Sequence, residues 1–298
     1  MTSILFERPE ATYLPEIDAY VRYLRKEFPK VTPYISTDVP GYDPNDFDIV
    51  WRFMGMDIRG GGRYVVHEYN SFSAPPFPHL RNQVKKLLNR KPDRRVFLNK
   101  IVHRGFNFRD GVPYSLRDMG IAAQFFEHPL TPEYDFVYAG SMHRGPEVMR
   151  ILDHFSKHMK GSTILLIGTV GKAARAHFSK FENIIFAGRV PYNDVPKYMA
   201  KGRYALNLVP DEFPFNVQTA TKVLEYCALG LPIVSMKYRW AENFARMQGA
   251  KMFWLSPDFS NLTPENIAAF DFQTPDVTNR RWKTVIERSG VFDFLREF

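Results

Sequence analysis

Lys222 and Glu225 are the two residues whose types and spacing most directly suggest chemistry. They stand three residues apart in the segment 222–235, so in a helix both side chains lie on one face near its start. A cation beside free backbone N–H groups suits a phosphate, and a carboxylate one turn further on suits a pair of hydroxyls. The spacing alone also fits an ordinary ion pair on a solvated surface, and that alternative stays open at this point.

The elements that must position this pair are a short amphipathic helix, a turn and a buried strand. The apolar residues of the helix share one face: Val223, Leu224, Cys227 and Ala228. Gly230 favours a left-handed stop, and Pro232 prevents the helix from continuing. The β-branched pair Ile233–Val234 then predicts a strand.

The segment resembles the nucleotide-sugar signature K-x-x-E-Y-x-A-x-G-x-P-V-V of GT-B glycosyltransferases, especially the retaining family 4 type. The resemblance implies that Glu225 holds the ribose hydroxyls of a donor nucleotide and that Lys222 lies close to its phosphates. It also implies an α/β fold with two Rossmann-like domains, whose parallel sheets face a central cleft. It is clear over residues 134–240 and only architectural before them.

Other segments resemble further parts of the donor site. Gly140, Ser141 and Arg144 lie in a Gly-rich turn between a strand and a helix, where the family uses the basic residue to hold the diphosphate. The turn from Gly188 through Arg189 and Val190 resembles the one that lies against the nucleobase. Many family 4 enzymes carry a further Glu eight residues before the position of Glu225, where this chain has Val217. The neighbouring polar residues are therefore candidates to meet the sugar or the phosphates: Asn216, Gln218, Thr219 and Thr221.

His67 and Glu68 end a predicted strand that begins at Arg63. Ligands bind at this edge in open α/β sheets, so the two residues are candidate catalytic acid/base groups or sugar-hydroxyl contacts. They would be the candidate bases if transfer inverted the anomeric configuration, whereas the resemblance implies retention. The alternative is that these polar residues only cap the sheet.

The composition is that of a folded protein with an excess of cations. A hydrophobic content of 45% is enough for packed cores. The single cysteine excludes an internal disulfide framework and fits a reducing compartment. We find neither an apolar run of about 18 residues nor a secretory signal, and therefore expect a cytoplasmic protein. The net charge of +8 predicts an anionic partner.

A basic cluster between Arg81 and Arg104 contains one acid, Asp93. Its members are Arg81, Lys85, Lys86, Arg90, Lys91, Arg94, Arg95, Lys100 and Arg104. A solvated helix face is one explanation. Among anionic partners, we rank a membrane surface or a glycan acceptor above nucleic acid. On a membrane, the protein would be peripheral at the inner face. The sequence has no zinc-ligand spacing, RNP aromatics or clear helix-turn-helix.

The predicted organisation is an acceptor-binding Rossmann-like domain over residues 1–132, a nucleotide-sugar-binding domain over 133–279, and a closing helix within 280–298. That helix is expected to return to the first domain, with Gly290 leaving its continuity open.

The predicted activity is transfer of a hexosyl group from a nucleoside-diphosphate sugar, UDP ahead of GDP, to a glycan or lipid-linked glycan, as in polysaccharide biosynthesis. We expect no cofactor and no metal, because no Asp-x-Asp clamp stands at a strand end. The alternatives are a GT-B nucleotide-sugar epimerase and a non-catalytic protein that binds nucleotides or glycans.

Overall fold

The computed structural model describes residues 1–9, 13–53, 55–57, 60–142 and 146–298. Contacts between residues divide the chain into two compact units. Unit 1 comprises Met1–Ala122 and Asn279–Phe298, and unit 2 comprises Ala123–Thr278. Each unit is built on one parallel sheet of six strands.

The sheet of unit 1 has the strand order β2-β1-β3-β4-β5-β6, and each neighbouring pair is parallel. Its strands are β1 (Thr2–Glu7), β2 (Val31–Ile35), β3 (Ile49–Phe53), β4 (Tyr64–Tyr69), β5 (Arg94–Phe97) and β6 (Tyr114–Leu116). Successive strands are joined by crossovers that include the helices α1 (Pro15–Glu27), α2 (Pro78–Leu88) and α3 (Lys100–Phe106). Parallel strands need such connections, so all strands end at the same edge of the sheet.

Unit 2 has the strand order β12-β11-β10-β7-β8-β9, again parallel throughout. Its strands are β7 (Tyr134–Ala139), β8 (Ile164–Ile167), β9 (Ile184–Gly188), β10 (Gly202–Asn207), β11 (Ile233–Met236) and β12 (Phe253–Leu255). Its helices are α4 (Gln124–Glu127), α5 (Glu147–His158), α6 (Lys172–Phe178), α7 (Val195–Met199), α8 (Thr221–Ala228), α9 (Arg239–Gln248) and α10 (Pro264–Ala269).

The core of unit 2 forms where α5 packs on the central strands. Every residue of β8 is buried, as expected for a strand covered on both faces. From α5, Ile151, Leu152 and Phe155 enter the same core, and the ring centroids of Phe155 and Phe136 lie 5.2 Å apart. The apolar stripe of one amphipathic helix therefore fixes it against the sheet.

The closing segment contains α11 (Trp282–Ser289) and a 3₁₀ turn over Asp293–Glu297. Gly290 ends α11 with a φ of 58°, so the predicted closing helix is not continuous. Phe292 follows, and its ring meets that of Tyr20 from α1 with centroids 5.0 Å apart. The segment thus completes the aromatic core of unit 1.

The division between the units falls earlier than the predicted boundary at residues 132 and 133. Ile121 accepts a backbone hydrogen bond from Trp282 at 3.2 Å and donates one to Arg280 at 2.8 Å, both in unit 1. Thr131 instead donates to the carbonyl of Ala200 in unit 2 at 2.8 Å. Residues 123–132 therefore belong with unit 2. The acceptor and donor roles assigned to the two domains stay predictions.

None of the helices in the described ranges is long and apolar enough to cross a bilayer.

Replacing Trp282 by alanine is expected to lower the free energy of unfolding of unit 1 by about 3–5 kcal/mol, since a large buried side chain is removed. Trp282 is only 6% exposed, and it packs so closely on Gly120 that a Cβ there would lie 2.4 Å from the indole. Chemical denaturation of Trp282→Ala measures the change. Trp240→Ala, at a half-buried position of unit 2, is the control and should cost clearly less. Equal costs would show that the closing segment is not part of the unit 1 core.

Candidate functional site

Helix α8 is anchored to the sheet of unit 2 by a buried tyrosine. The Tyr226 hydroxyl accepts a hydrogen bond from the backbone N–H of Ala139 at 3.1 Å and donates to the carbonyl of Leu206 at 3.3 Å. Burial raises the pKa of Tyr226 far above its usual value, so the phenol keeps its proton. The helix is thereby fixed to the ends of β7 and β10. Beyond the last residue of α8, Ala228, Gly230 has a φ of 75° and stops the helix as predicted.

The structure brings Lys222 and Glu225 together on α8. The Lys222 Nζ lies 2.6 Å from Glu225 Oε2. The carboxylate side chain is 1% exposed, whereas the lysine side chain is 35% exposed. The buried carboxylate is thus paired with a cation that reaches solvent, which is not the arrangement of a solvated surface pair.

Tyr192 is the second partner of Glu225, and sequence reasoning missed it. Its hydroxyl donates to Glu225 Oε1 at 3.1 Å. It starts the 3₁₀ turn Tyr192–Asp194 that follows the predicted nucleobase turn, and the ring of Phe125 packs against it at a centroid distance of 5.6 Å. The sequence offered one signal for Tyr192, which is its position directly after that turn, whose last residue is Pro191.

Three glycines end the adjacent strands β7, β8 and β9 or follow them directly. Gly140, Gly168 and Gly188 have φ values of 159°, 139° and 76°. Gly168 donates to the carbonyl of Gly188 at 2.8 Å, and a Cβ on Gly168 would lie 2.0 Å from the carbonyl oxygen of Gly140. Only glycine permits this approach. Sequence reasoning named Gly140 and Gly188 as site residues but not Gly168, because the strand pairing that joins them is not written in any local motif.

The loop before α8 carries amide groups with free hydrogen-bonding capacity. Asn216 donates through Nδ2 to Asp211 Oδ1 at 3.0 Å, but its buried Oδ1 has no hydrogen-bond partner in the described part of the chain. The same holds for Nε2 of Gln218. Val217, between them, is 9% exposed and sits in the 3₁₀ turn Phe215–Val217. Val217 therefore packs as an apolar side chain.

The remaining predicted donor residues differ in their exposure. Ser141, Thr219 and Thr221 are half-buried. Arg189 is exposed and Val190 is half-buried, on the turn that leads to Tyr192. Arg144 lies outside the described residues. Among the predicted donor residues, the structure joins Lys222 and Glu225 directly.

His67 and Glu68 lie in unit 1, and both are fully buried. His67 Nε2 lies 2.9 Å from Asp57 Oδ2, and Asp57 also accepts from Arg52 at 2.8 Å. Burial lowers the pKa of His67. With no surface to offer a substrate, the histidine is a member of a buried polar chain and not an accessible base.

Glu68 has three polar partners. Its Oε2 accepts from Trp51 Nε1 at 2.8 Å, its Oε1 lies 2.9 Å from Arg117 Nε, and the Tyr20 hydroxyl lies 3.2 Å from both oxygens. Burial raises the pKa of Glu68 to about 7, against the opposing effect of Arg117. His67 and Glu68 thus lie among buried charged and polar partners, and their catalytic role stays a prediction.

The likeness of this chain to known proteins lies in its fold. No protein-family model and no curated sequence matches it. Among solved structures, HepE of Anabaena in complex with UDP-glucose is similar with a TM-score of 0.65 and 12% identity, over 100% of this chain and 98% of that one. Sucrose-phosphate synthase from Thermosynechococcus elongatus is also similar, with a TM-score of 0.60 and 11% identity over 99% of this chain and 96% of that one. The chain has the GT-B fold.

A third similar structure comes from a different class of enzyme. A putative UDP-N-acetylglucosamine 2-epimerase from Listeria monocytogenes matches with a TM-score of 0.56 and 9% identity, over 99% of this chain and 96% of that one. The two parallel sheets and these likenesses confirm the predicted GT-B fold class with two Rossmann-like halves. At such identities, likeness to GT-B structures carries the fold and not the activity.

Gly168→Ala should lower the free energy of unfolding of unit 2 by about 3 kcal/mol, because the added Cβ collides with the Gly140 carbonyl and the backbone is left-handed. Gly161→Ala is the matched control, since nothing lies within 4 Å of a Cβ there. Thermal and chemical unfolding of both variants gives the comparison. A Gly168 variant as stable as the Gly161 variant would mean that the three strand ends do not approach as described.

Glu68→Ala should destabilise unit 1 by about 3–5 kcal/mol, because buried Arg117 loses the nearer of its two carboxylates and keeps only Glu16, at 3.9 Å. Denaturant unfolding measures the loss. Asp46→Ala removes an exposed carboxylate from the same unit and should change stability little. If Glu68→Ala kept full stability and lost only enzymatic turnover, the predicted catalytic role of Glu68 would be supported.

Proposed function

We propose that the protein is a glycosyltransferase that moves a hexosyl group from a nucleoside-diphosphate sugar to a glycan or lipid-linked glycan. The observation that carries the proposal is the placement of Lys222 and Glu225 one turn apart on an anchored helix of a GT-B fold. UDP is the proposed nucleotide ahead of GDP. HepE, similar in fold, is a protein whose structure holds UDP-glucose.

Glu225 is the proposed ligand of the donor ribose. An ionised carboxylate offers about four lone-pair sites, of which Lys222 and Tyr192 occupy one on each oxygen. Because the carboxylate is 1% exposed, two ribose hydroxyls can bind only if at least one of these partners moves aside. The half-exposed lysine is the partner with room to move. The ribose would then donate to the carboxylate in place of the ammonium group.

Lys222, once released from Glu225, is proposed to contact the donor's phosphates. Negative charge develops on the diphosphate as the glycosidic bond to it breaks, and cations aimed at that position stabilise the transition state. The start of α8 adds backbone N–H groups, since the N-cap residue is Ala220, whose side chain has no oxygen to accept from them. Arg144 is assigned to the same diphosphate by the resemblance.

Transfer is proposed to retain the anomeric configuration and to need no divalent metal. Both statements come from the resemblance to family 4 enzymes. The Asp-x-Asp at Asp46 and Asp48 precedes β3 and does not follow the carboxyl end of a strand, where a metal clamp is expected. No step is assigned to His67 or Glu68, which the core buries. Unit 1 is proposed to carry the acceptor.

A nucleotide-sugar epimerase is the second candidate, favoured by the likeness to the Listeria epimerase structure. Incubation with a panel of UDP- and GDP-sugars separates the two. Release of free nucleoside diphosphate supports transfer, and an isomerised donor supports epimerisation. Binding without turnover indicates a non-catalytic protein. If none of the donors binds, the proposal is wrong.

An excess of EDTA should leave the rate of sugar transfer unchanged.

Glu225→Ala should raise the Kd for UDP about 100-fold, since two hydrogen bonds to a charged acceptor are lost at about 1.5 kcal/mol or more each. Isothermal titration of UDP into the wild type and the variant measures the change. Glu182→Ala removes an exposed carboxylate of unit 2 and serves as the control. Circular dichroism and thermal unfolding of each variant show whether the fold is kept. Wild-type affinity in Glu225→Ala would remove the basis of the assignment.

A further inference from the structure

Helix α2 is packed with its apolar side outward. Of its residues, the buried one is Asn82, whose Oδ1 accepts a hydrogen bond from the backbone N–H of Ser73 at 2.8 Å. Leu80 is 64% exposed and Leu87 is 79% exposed. A soluble helix normally places such residues against the core, so this orientation calls for a physical reason.

The exposed apolar residues form one continuous stripe. Leu80, Val84, Leu87 and Leu88 follow the spacing i, i+4, i+7 and i+8, which places them on one helical face. Phe77, directly before the helix, is 73% exposed. We call these five residues the apolar face of α2. A contiguous apolar surface of this kind marks an interaction site.

Cations surround the apolar face, and acids are missing from the segment. From Tyr69 to Pro92 the sequence contains no Asp or Glu. The segment's cations are Arg81, Lys85, Lys86, Arg90 and Lys91. The adjacent helix α3 adds exposed Lys100, Ile101 and Arg104. The two helices are tied together, since Lys86 Nζ donates to the carbonyl of Asn107 at 2.7 Å.

We propose that the apolar face of α2 docks on the surface of an anionic lipid bilayer, with its leucines in the headgroup region and the surrounding cations on lipid phosphates. Amphipathic helices with basic flanks bind anionic bilayers in this way. A second copy of the chain is a poorer occupant, because two such basic surfaces would repel each other. The inference does not depend on the donor site, which lies in unit 2.

Vesicle co-sedimentation of the full chain tests the proposal. The probes are vesicles of phosphatidylcholine alone and of phosphatidylcholine with an equal part of phosphatidylglycerol. The wild type is expected to bind the mixed vesicles, more weakly at higher ionic strength, and to bind the neutral ones at least tenfold less. No binding to the mixed vesicles, or equal binding to both, overturns the proposal.

Two paired variants separate the apolar and the ionic contributions. Leu80→Gln with Leu87→Gln should weaken binding by at least about tenfold, and Arg81→Gln with Lys91→Gln should weaken it about fivefold for each charge removed. All four positions are exposed, so unfolding temperatures should stay near that of the wild type. The controls in unit 2 are Met247→Gln, at a side chain 72% exposed, and Lys180→Gln with Lys197→Gln.

The control variants should bind the mixed vesicles like the wild type. If the leucine pair bound like its control, the apolar face would not be the docking surface. Size exclusion with light scattering tests the alternative that a second copy of the chain covers the apolar face of α2. A wild-type dimer that becomes monomeric in the leucine pair would assign the face to a second copy of this chain and overturn the membrane proposal.

Discussion

The donor half of the fold is arranged around one buried carboxylate, which is already held by two partners. Glu225 lies between the ammonium of Lys222 and the hydroxyl of Tyr192, on a helix that Tyr226 fixes to two strands. Burying an ionised group is costly unless it is paired. Pairing therefore keeps the charge inside the protein, and the partial exposure of Lys222 leaves one partner that a ligand can replace.

The two units use buried charges in different ways. In unit 1, Glu68 is enclosed by Trp51, Tyr20 and Arg117, and neither Glu68 nor Arg117 reaches solvent. Such a network joins strands and helices but offers nothing to a substrate. In unit 2, by contrast, the partner of Glu225 reaches the surface. The two carboxylates thus differ in their surroundings, because Arg117 beside Glu68 is fully buried and Lys222 beside Glu225 is 35% exposed.

Much of the fold could be predicted from the sequence, because it is written locally. The β-branched pair Ile233–Val234 predicted β11, and Gly230 with Pro232 predicted the end of α8. The short strand β6 carries no such signal, since its three residues lie in a segment rich in aromatic and charged side chains. The GT-B fold class followed from the α8 signature, and the boundary between the units did not, because backbone pairing far along the chain decides it.

The site was only partly predictable for the same reason. Lys222 and Glu225 share a helix, so their spacing revealed them. The burial of Glu68 depends on Arg117, which directly follows β6, and Tyr192 reaches Glu225 from a separate turn. The outward face of α2 was also hidden. Its periodicity is that of any amphipathic helix, and only the structure shows that Asn82 faces inward.

The most direct test of the central claim is a double-mutant cycle between Glu225 and the ribose hydroxyls of the nucleotide. Isothermal titration would compare UDP with an analogue that lacks both ribose hydroxyls, on the wild type and on Glu225→Ala. We predict a coupling free energy of about 1.5–3 kcal/mol between the Glu225 carboxylate and the ribose hydroxyls. UDP should lose affinity for the variant, and the analogue should bind both proteins equally. Equal changes for the two ligands would contradict the role given to this carboxylate.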